Sequence, residues 1–215
     1  MQYDDIYKNS IGYFGDEPER ILKKYYRLLN KTQLVLDIGA GQGRNAIFLA
    51  NEGFMVEAID PSRVAMDFVA QSAKSKGLSI RTYHCGFESF APEANCYSGI
   101  LIFGLIQILS WSSIRQLMQK LDEWLTENGL IFMTAFTTGD PSFARYSTGW
   151  KHAGKNSFTD SNNNYHTYLE TGQIVTLLKD YKVIHHREGL GPWHRHGNRA
   201  PERHSMAEAV IRKYK

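Results

Sequence analysis

The sequence predicts an α/β protein whose core is a seven-stranded, mostly parallel sheet with an antiparallel last strand. Three observations predict it. Short runs rich in β-formers alternate with amphipathic stretches of helical period, which implies βαβ crossovers and a sheet covered on both faces. A glycine-rich turn joins the first such run directly to a helix. The last two strand-like runs are separated by a loop instead of a helix, so they are expected to pair antiparallel at the sheet edge.

The elements follow in order. Residues 17–29 place Ile21, Leu22, Tyr25, Leu28 and Leu29 at helical spacing, and Asp16 with Glu19 fits a capping box. The run QLVLDI (33–38) reads as a strand buried on both faces. Residues 44–52 carry Ala46, Ile47, Leu49 and Ala50 on one stripe and end at Gly53, a C′ glycine. A second strand over 55–59 leads to Ser62, the expected cap of a helix through Ser75 that Gly77 ends. Its inward residues are Val64, Ala65, Phe68, Val69 and Ala73. Strands over 78–84 and 99–103, a helix over 113–125 and a strand over 130–136 continue the alternation. A short helix over 171–179 and strands over 182–187 and 207–212 close the chain. Between them, residues 137–167 are rich in Gly, Ser, Asn and Thr without clear periodicity, a pattern of functional lids or disordered excursions.

Length and composition bound the rest. The chain has 215 residues, so a single domain over 1–215 is expected, with 1–30 as a helical cap and 137–170 as a candidate substrate lid. Hydrophobic residues at 42% with 22% charged are globular values. The most apolar run, 99–109, is shorter than the ~18 residues a membrane span requires. The start MQYDD has neither the basic nor the apolar part of a secretory signal. Two cysteines, Cys85 and Cys96, form no Cys-x-x-Cys and read as reduced thiols of a cytoplasmic protein.

The informative stretch is Asp37-Ile-Gly39-Ala40-Gly41-Gln-Gly43. Glycines at alternate positions allow a sharp turn and leave bare peptide N–H groups for a ligand, and the helix that follows favours an anion at its start. A dinucleotide fingerprint requires Gly-x-Gly-x-x-Gly/Ala, whereas Arg44 stands at its last position. Asp37 suits a ligand bearing an ammonium group, and Asp60, at a strand end, can accept from both hydroxyls of a ribose. Together they describe a nucleoside whose tail is an amino acid.

VLDIGAGQG (35–43), Asp60 in EAIDPS, YSGILIFGLIQIL (97–109) and LTENGLIFMTAF (125–136) resemble the class I S-adenosylmethionine-dependent methyltransferases, in order along nearly the whole chain. The run GAGQGRNAIFLANEG, Tyr13-Phe14-Gly15 and the histidine-rich tail look most like the small-molecule branch that includes the tellurite-resistance methyltransferases. The resemblance implies a Rossmann-like methyltransferase fold and S-adenosylmethionine as cofactor. It implies that Asp37 and the backbone of Gly39, Ala40, Gly41 and Gly43 hold the methionine portion, Asp60 the ribose, and Pro61 and Ser62 the adenine edge. Arg44 would pair with the methionine carboxylate or simply be a solvated residue at a helix start. Gly86 stands where the family often has an aspartate, leaving adenine to Phe87 packing and backbone, and Ser98 replaces the usual acidic residue opening the fourth strand.

Methyl transfer from a sulfonium asks the protein to align nucleophile, methyl and sulfur and to exclude water, and a general base is needed only for a protonated acceptor. No triad is found, no metal site is expected, and the catalytic residues are left open. The acceptor belongs near Phe103 and Gly104, after the fourth strand, or Phe103 merely ends a buried strand. An Asn/Asp-Pro-Pro-Tyr-like motif is absent there, which argues against base or glutamine N-methylation. Five of the eight histidines lie between 185 and 204. The default reading is a solvated edge loop; an anion-binding rim with Arg195, Arg199 and Arg203, or a divalent metal held through His194 and His196, are the alternatives. Residues from 182 onward carry +5 against −2 for the rest, which suits an anionic small molecule better than nucleic acid. Tyr3, Tyr7, Tyr13 and Phe14 form a second lid candidate or an ordinary helix packed on the sheet edge. Tyr13, Arg145, Tyr146, Trp150, His194 and His196 are the expected substrate contacts.

The expected activity is methyl transfer to a small thiol, oxygen or metalloid-anion acceptor by a monomer or homodimer with no membrane partner. A catalytically inactive cofactor-binding regulatory module, an RNA methyltransferase and a nicotinamide-dependent dehydrogenase are the rival readings.

Overall fold

The structure is a computed structural model that describes residues 2–10, 12–178, 180–195 and 200–214. Its main sheet contains β1 (Leu34–Ile38), β2 (Val56–Asp60), β3 (Ile80–His84), β4 (Tyr97–Ile102), β5 (Leu125–Phe136), β9 (Tyr181–Leu190) and β10 (Ser205–Lys213). Their order is β3-β2-β1-β4-β5-β10-β9. The first five run parallel, and β10 pairs antiparallel with both β5 and β9. The antiparallel last strand is thus inserted beside β5, with β9 at the edge.

Among the described residues seven α-helices accompany these strands: α1 (Gln2–Asn9), α2 (Arg20–Tyr25), α3 (Arg44–Asn51), α4 (Arg63–Lys76), α5 (Trp111–Trp124), α6 (Phe143–Gly149) and α7 (Gln173–Thr176). Two apolar clusters cover the two faces of the sheet. Leu36 and Ile38 pack in one with Leu117, Leu121 and Trp124 of α5, while Val35 packs in the other with Leu22, Leu49 and Val69 of α2, α3 and α4. Alternation along β1 thereby commits successive side chains to opposite layers.

Local chemistry sets the helix ends. The Ser62 hydroxyl accepts from Ala65 N at 3.2 Å, and the Ser110 hydroxyl accepts from Ser113 N at 3.1 Å. Gly53 closes α3 with two bonds, Phe54 N to Leu49 O at 3.1 Å and Gly53 N to Ala50 O at 3.0 Å, the Schellman arrangement. The expected box at Asp16 and Glu19 does not form. Glu19 is the N-cap of α2 without a side-chain cap, because its carboxylate is taken by Arg44 and its N–H donates to Asn45 Oδ1 at 2.9 Å. On α4 the buried side chains are Ala65, Met66, Val69 and Ala73, with Val64 and Phe68 only half-buried. The fifth strand begins at Leu125 and not 130, because Tyr97 pairs with Leu125 and Gly99 with Leu130, leaving a bulge in which Asn128 has φ 62°.

Residues 137–170 are ordered, not an excursion. After β5 come α6 and a three-stranded antiparallel sheet of β6 (Lys151–Gly154), β7 (Ser157–Thr159) and β8 (Tyr165–Thr167). Thr167 Oγ1 donates to Leu109 O at 2.6 Å, fixing this small sheet over the turn that follows β4. No helix among the described residues is long and apolar enough to cross a membrane.

The buried face of α5 carries much of one cluster. Leu121→Ala is expected to lower unfolding free energy by about 2–5 kcal/mol, whereas Leu28→Ala, at a side chain 48% exposed, should change it by less than about 0.5 kcal/mol. Equilibrium denaturation of the two variants checks the contrast.

Candidate functional site

The carboxyl ends of β1 and β2 meet at the glycine turn. Gly41 N donates to Asp60 Oδ2 at 2.9 Å, and Ser62 N donates to Asp60 Oδ1 at 2.7 Å. One buried carboxylate therefore ties the loop after β1 to the start of α4, and burial raises its pKa. Gly43 caps α3 with φ 80°, and a Cβ there would stand 2.6 Å from Val69 Cγ2, so this position also sets how closely α3 approaches α4.

The N-terminal segment is fastened across this turn. Ser62 Oγ donates to Asp4 Oδ1 at 2.5 Å, and the Tyr7 hydroxyl lies 2.8 Å from where a Cβ on Gly41 would be. Gln42 donates to Ser10 O and accepts from Tyr13 N, both at 3.0 Å. Tyr7 is buried, and burial together with the Asp60 charge drives its hydroxyl pKa far up, so it stays protonated. Arg44 is spent on the same segment, donating to Phe14 O at 3.1 Å and Glu17 O at 3.2 Å besides pairing with Glu19. Its guanidinium is thus held by the N-terminal segment and remains partly exposed.

Asp37 is different. It is 2% exposed, and its Oδ2 has no hydrogen-bond partner. Burial pushes its pKa up to about 7 despite the nearby Arg44 charge. A buried acceptor left in this state fits a cationic donor supplied from outside the chain. On the far side of Asp60, Pro61 is exposed and its carbonyl lies 3.0 Å from His84 Nε2. Phe87, expected to pack on a ligand, is 3% exposed and belongs to the α5-side core. At Gly86 a carboxylate is nevertheless present: Glu88 Oε2 stands 2.5 Å from where a Cβ on Gly86 would be. The sequence reading looked for the acidic group on the glycine itself and passed over its neighbour two residues on.

Beyond β4, Phe103 is half-buried beside the α2–α4 layer, and Gly104 N donates to Thr134 Oγ1 at 3.0 Å. Gln107 in the following turn is buried with an unpartnered Oε1. The small sheet brings an aromatic wall to this side. Tyr146 stacks on His166 at 3.7 Å, Trp150 lies edge-on to Tyr146 at 4.8 Å, and Arg145 sits over Tyr146 at 5.2 Å. His166 was not singled out from sequence. Burial lowers its pKa to about 4, and its Nδ1 has no partner. The expected contacts therefore divide: Arg145, Tyr146 and Trp150 gather with His166, Tyr13 stays with the N-terminal segment, and His194 packs near His204. His196 lies outside the described residues.

A family model for a methyltransferase domain matches residues 35–129. A methyltransferase-type protein of Geobacillus sp. (strain WCH70) is 29% identical over 126 residues, 56% of this chain and 48% of that protein. The ubiquinone biosynthesis O-methyltransferase of Rickettsia akari is 24% identical over 171 residues, covering 77% and 64%. The chain thus spans from about half to just under two thirds of these curated relatives. TehB from Haemophilus influenzae superposes with a TM-score of 0.70 at 17% identity, covering 91% of this chain and 62% of that one. The chain thus carries a methyltransferase-domain match over residues 35–129, and its fold is that of the solved structure of TehB.

For S-adenosylmethionine as cofactor, the residues present offer an orphaned buried carboxylate oxygen for an ammonium group and a second carboxylate for hydroxyls. The turn's amides are not bare as expected, because Gly39 N and Ala40 N donate to Ile59 O at 2.9 and 3.1 Å, Gly41 N to Asp60 and Gly43 N to Ala40 O at 2.9 Å. Adding one methyl group to the turn is the direct test of its packing. Gly43→Ala is expected to cost about 1–3 kcal/mol, from the Val69 contact and the positive φ together. Urea denaturation measures it, with Gly53→Ala, where nothing lies within 4 Å, separating the cost of φ alone.

Proposed function

We propose that the chain transfers the methyl group of S-adenosylmethionine to a small, anionic or nucleophilic acceptor: a thiol, an oxygen nucleophile or a metalloid oxyanion. The observation that carries this reading is the unpartnered Asp37 oxygen beside the glycine turn. Asp37 would receive the ammonium, the side-chain-free backbone of Gly39, Gly41 and Gly43 with Ala40 would border the methionine portion, and Asp60 would take the ribose hydroxyls through the lone pairs that Gly41 N and Ser62 N leave open. Pro61, Ser62 and Gly86 would border the adenine, with Glu88 offering an acceptor for its amino group.

When bound, the cofactor supplies an activated methyl on a cationic sulfur. The chain's own residues then have three tasks. The N-terminal segment, held by Asp4–Ser62 and Gln42, keeps water from the turn. Tyr146, Trp150 and His166 hold a flat or apolar part of the acceptor against the carboxyl edge, with Arg145 attracting negative charge. His166, kept neutral by burial, offers its unpartnered Nδ1 as a hydrogen-bond partner to a hydroxyl or thiol acceptor. The insert over 137–170 acts as the acceptor's lid, and the domain over 1–215 works as one unit. Support for a small acceptor over a nucleic acid comes from this compact aromatic wall and from the lack of a basic stripe interleaved with aromatics.

Binding of S-adenosylhomocysteine, measured by calorimetry, is expected in the micromolar range. Asp60→Ala should weaken it by about 100-fold, the worth of two charge-assisted hydrogen bonds. A well-folded wild-type protein that binds neither cofactor nor product overturns the proposal, as does product binding without turnover on thiol, hydroxyl and oxyanion acceptors.

The Asp37 carboxyl, half-protonated near pH 7 when free, must ionise to meet an ammonium. Binding therefore releases a proton, and affinity should fall as pH drops below about 7, by up to ~10-fold per unit. Calorimetry in buffers of different ionisation enthalpy reads the proton, and Asp37→Asn should abolish the release along with most of the affinity.

A further inference from the structure

We propose that His194, Glu202 and His204 form a binding site for a divalent transition-metal ion of the zinc class, with Asp140 as the outer partner that orients His204. The backbone builds the site. His194 and Glu202 are a directly opposed antiparallel pair, with His194 N donating to Glu202 O at 2.9 Å and Glu202 N donating to His194 O at 2.8 Å. Side chains at such a pair share one face of the ribbon, and residue 204, two positions along from 202, falls on that face too. Donor atoms of the three lie within 4.8 Å of one another, and His204 Nε2 is 3.8 Å from Glu202 Oε2. Among the described residues no other trio of His, Cys, Asp or Glu is this close.

The second observation is how His204 is held. Its Nδ1 lies 3.0 Å from Asp140 Oδ2, and a carboxylate only accepts, so Nδ1 carries the hydrogen and Nε2 is the ring nitrogen turned toward Glu202. Asp140 is itself fixed. Ser205 N donates to Oδ2 at 2.9 Å, and Ser142 N and Oγ donate to Oδ1 at 2.9 and 2.5 Å. The Asp140 side chain is fully buried, and the His204 ring stacks on Phe136 at 4.3 Å. A carboxylate that fixes the tautomer and plane of a ligating imidazole is the usual outer shell of a zinc histidine. Two imidazoles and one carboxylate also match the three-ligand sets that leave a position for water or an added ligand.

The site stands at the carboxyl edge, where β10 begins beside the end of β5, and so next to the aromatic wall. It does not depend on methyl transfer, and the test keeps the two apart. The full chain, stripped with chelator, is titrated with Zn²⁺ by calorimetry and with Co²⁺ by visible ligand-field absorption. One equivalent bound at micromolar affinity or tighter, with the intense bands of a four-coordinate Co²⁺ site, is expected. Glu202→Gln, a conservative change at a half-exposed side chain, should weaken it by tenfold or more, and His194→Ala likewise. Asp140→Asn should weaken it by roughly 10–100-fold. His186→Ala, whose ring pairs with Glu188 on β9, should leave it unchanged. Retained S-adenosylhomocysteine binding, or an unchanged melting temperature if that ligand does not bind, certifies the fold of each variant. Stoichiometric binding that survives both Glu202→Gln and His194→Ala, or the absence of binding in wild type, overturns the site.

Discussion

One carboxylate holds the business end of this molecule together. Asp60, buried at the end of β2, receives N–H groups from the turn after β1 and from the first residue before α4. Its two bonds add to the Gly39 and Ala40 N–H groups that donate to Ile59 O and to the apolar packing of α3 on α4. The N-terminal segment extends the same construction by one step, because Ser62, positioned by Asp60, donates to Asp4 while also capping α4. Burial raises the Asp60 pKa, yet both oxygens are compensated by backbone donors, which is what lets a charge persist in that position.

What the sequence carried in plain form was the layered part. β1, β2 and β4 are short apolar runs with every face covered, and Ser62, Ser110, Gly53 and Gly77 sit where capping chemistry needs them. Two kinds of feature escaped. The capping box at Asp16 and Glu19 obeys a local rule, but a tertiary ion pair with Arg44 outcompeted it. The strands of the insert are three or four residues long and hold polar and aromatic residues mixed, too short for a period of two to show. His166 shares their obscurity, since nothing marks one histidine within such a strand until the fold brings Tyr146 over it.

The candidate site was legible in proportion to how local its chemistry is. Asp37, the glycines and Asp60 lie within one βαβ unit, so spacing alone pointed to them. Arg44 lies in that unit as well, but its partners Phe14, Glu17 and Glu19 come from a segment whose path no spacing rule gives. The histidine tail shows the reverse. Counting residues drew attention to His194 and His196, the familiar His-x-His, whereas cross-strand pairing selects His194 with Glu202 and His204. In a ribbon, neighbours across the turn matter more than neighbours along the chain.

The unsatisfied atoms sort by place in a way that bears on chemistry. Of the four buried polar side-chain atoms without partners among the described residues, Asp37 Oδ2, Gln107 Oε1 and His166 Nδ1 belong to the carboxyl ends of β1 and β4 and to the insert above them. Each costs free energy in the unliganded fold, on the order of 1–3 kcal/mol for a neutral group. Three such costs on one side of a sheet are hard to maintain unless something repeatedly enters and pairs with them. They also differ in kind: an acid poised near neutrality, a neutral amide oxygen and an imidazole kept uncharged. A ligand bearing an ammonium at one end and a proton to lose at the other would satisfy the outer two. Carboxylates are thus gathered at Asp37 and Asp60, and an uncharged imidazole stands at His166 in the insert. That is the order in which a cationic donor and a nucleophile would have to be laid end to end.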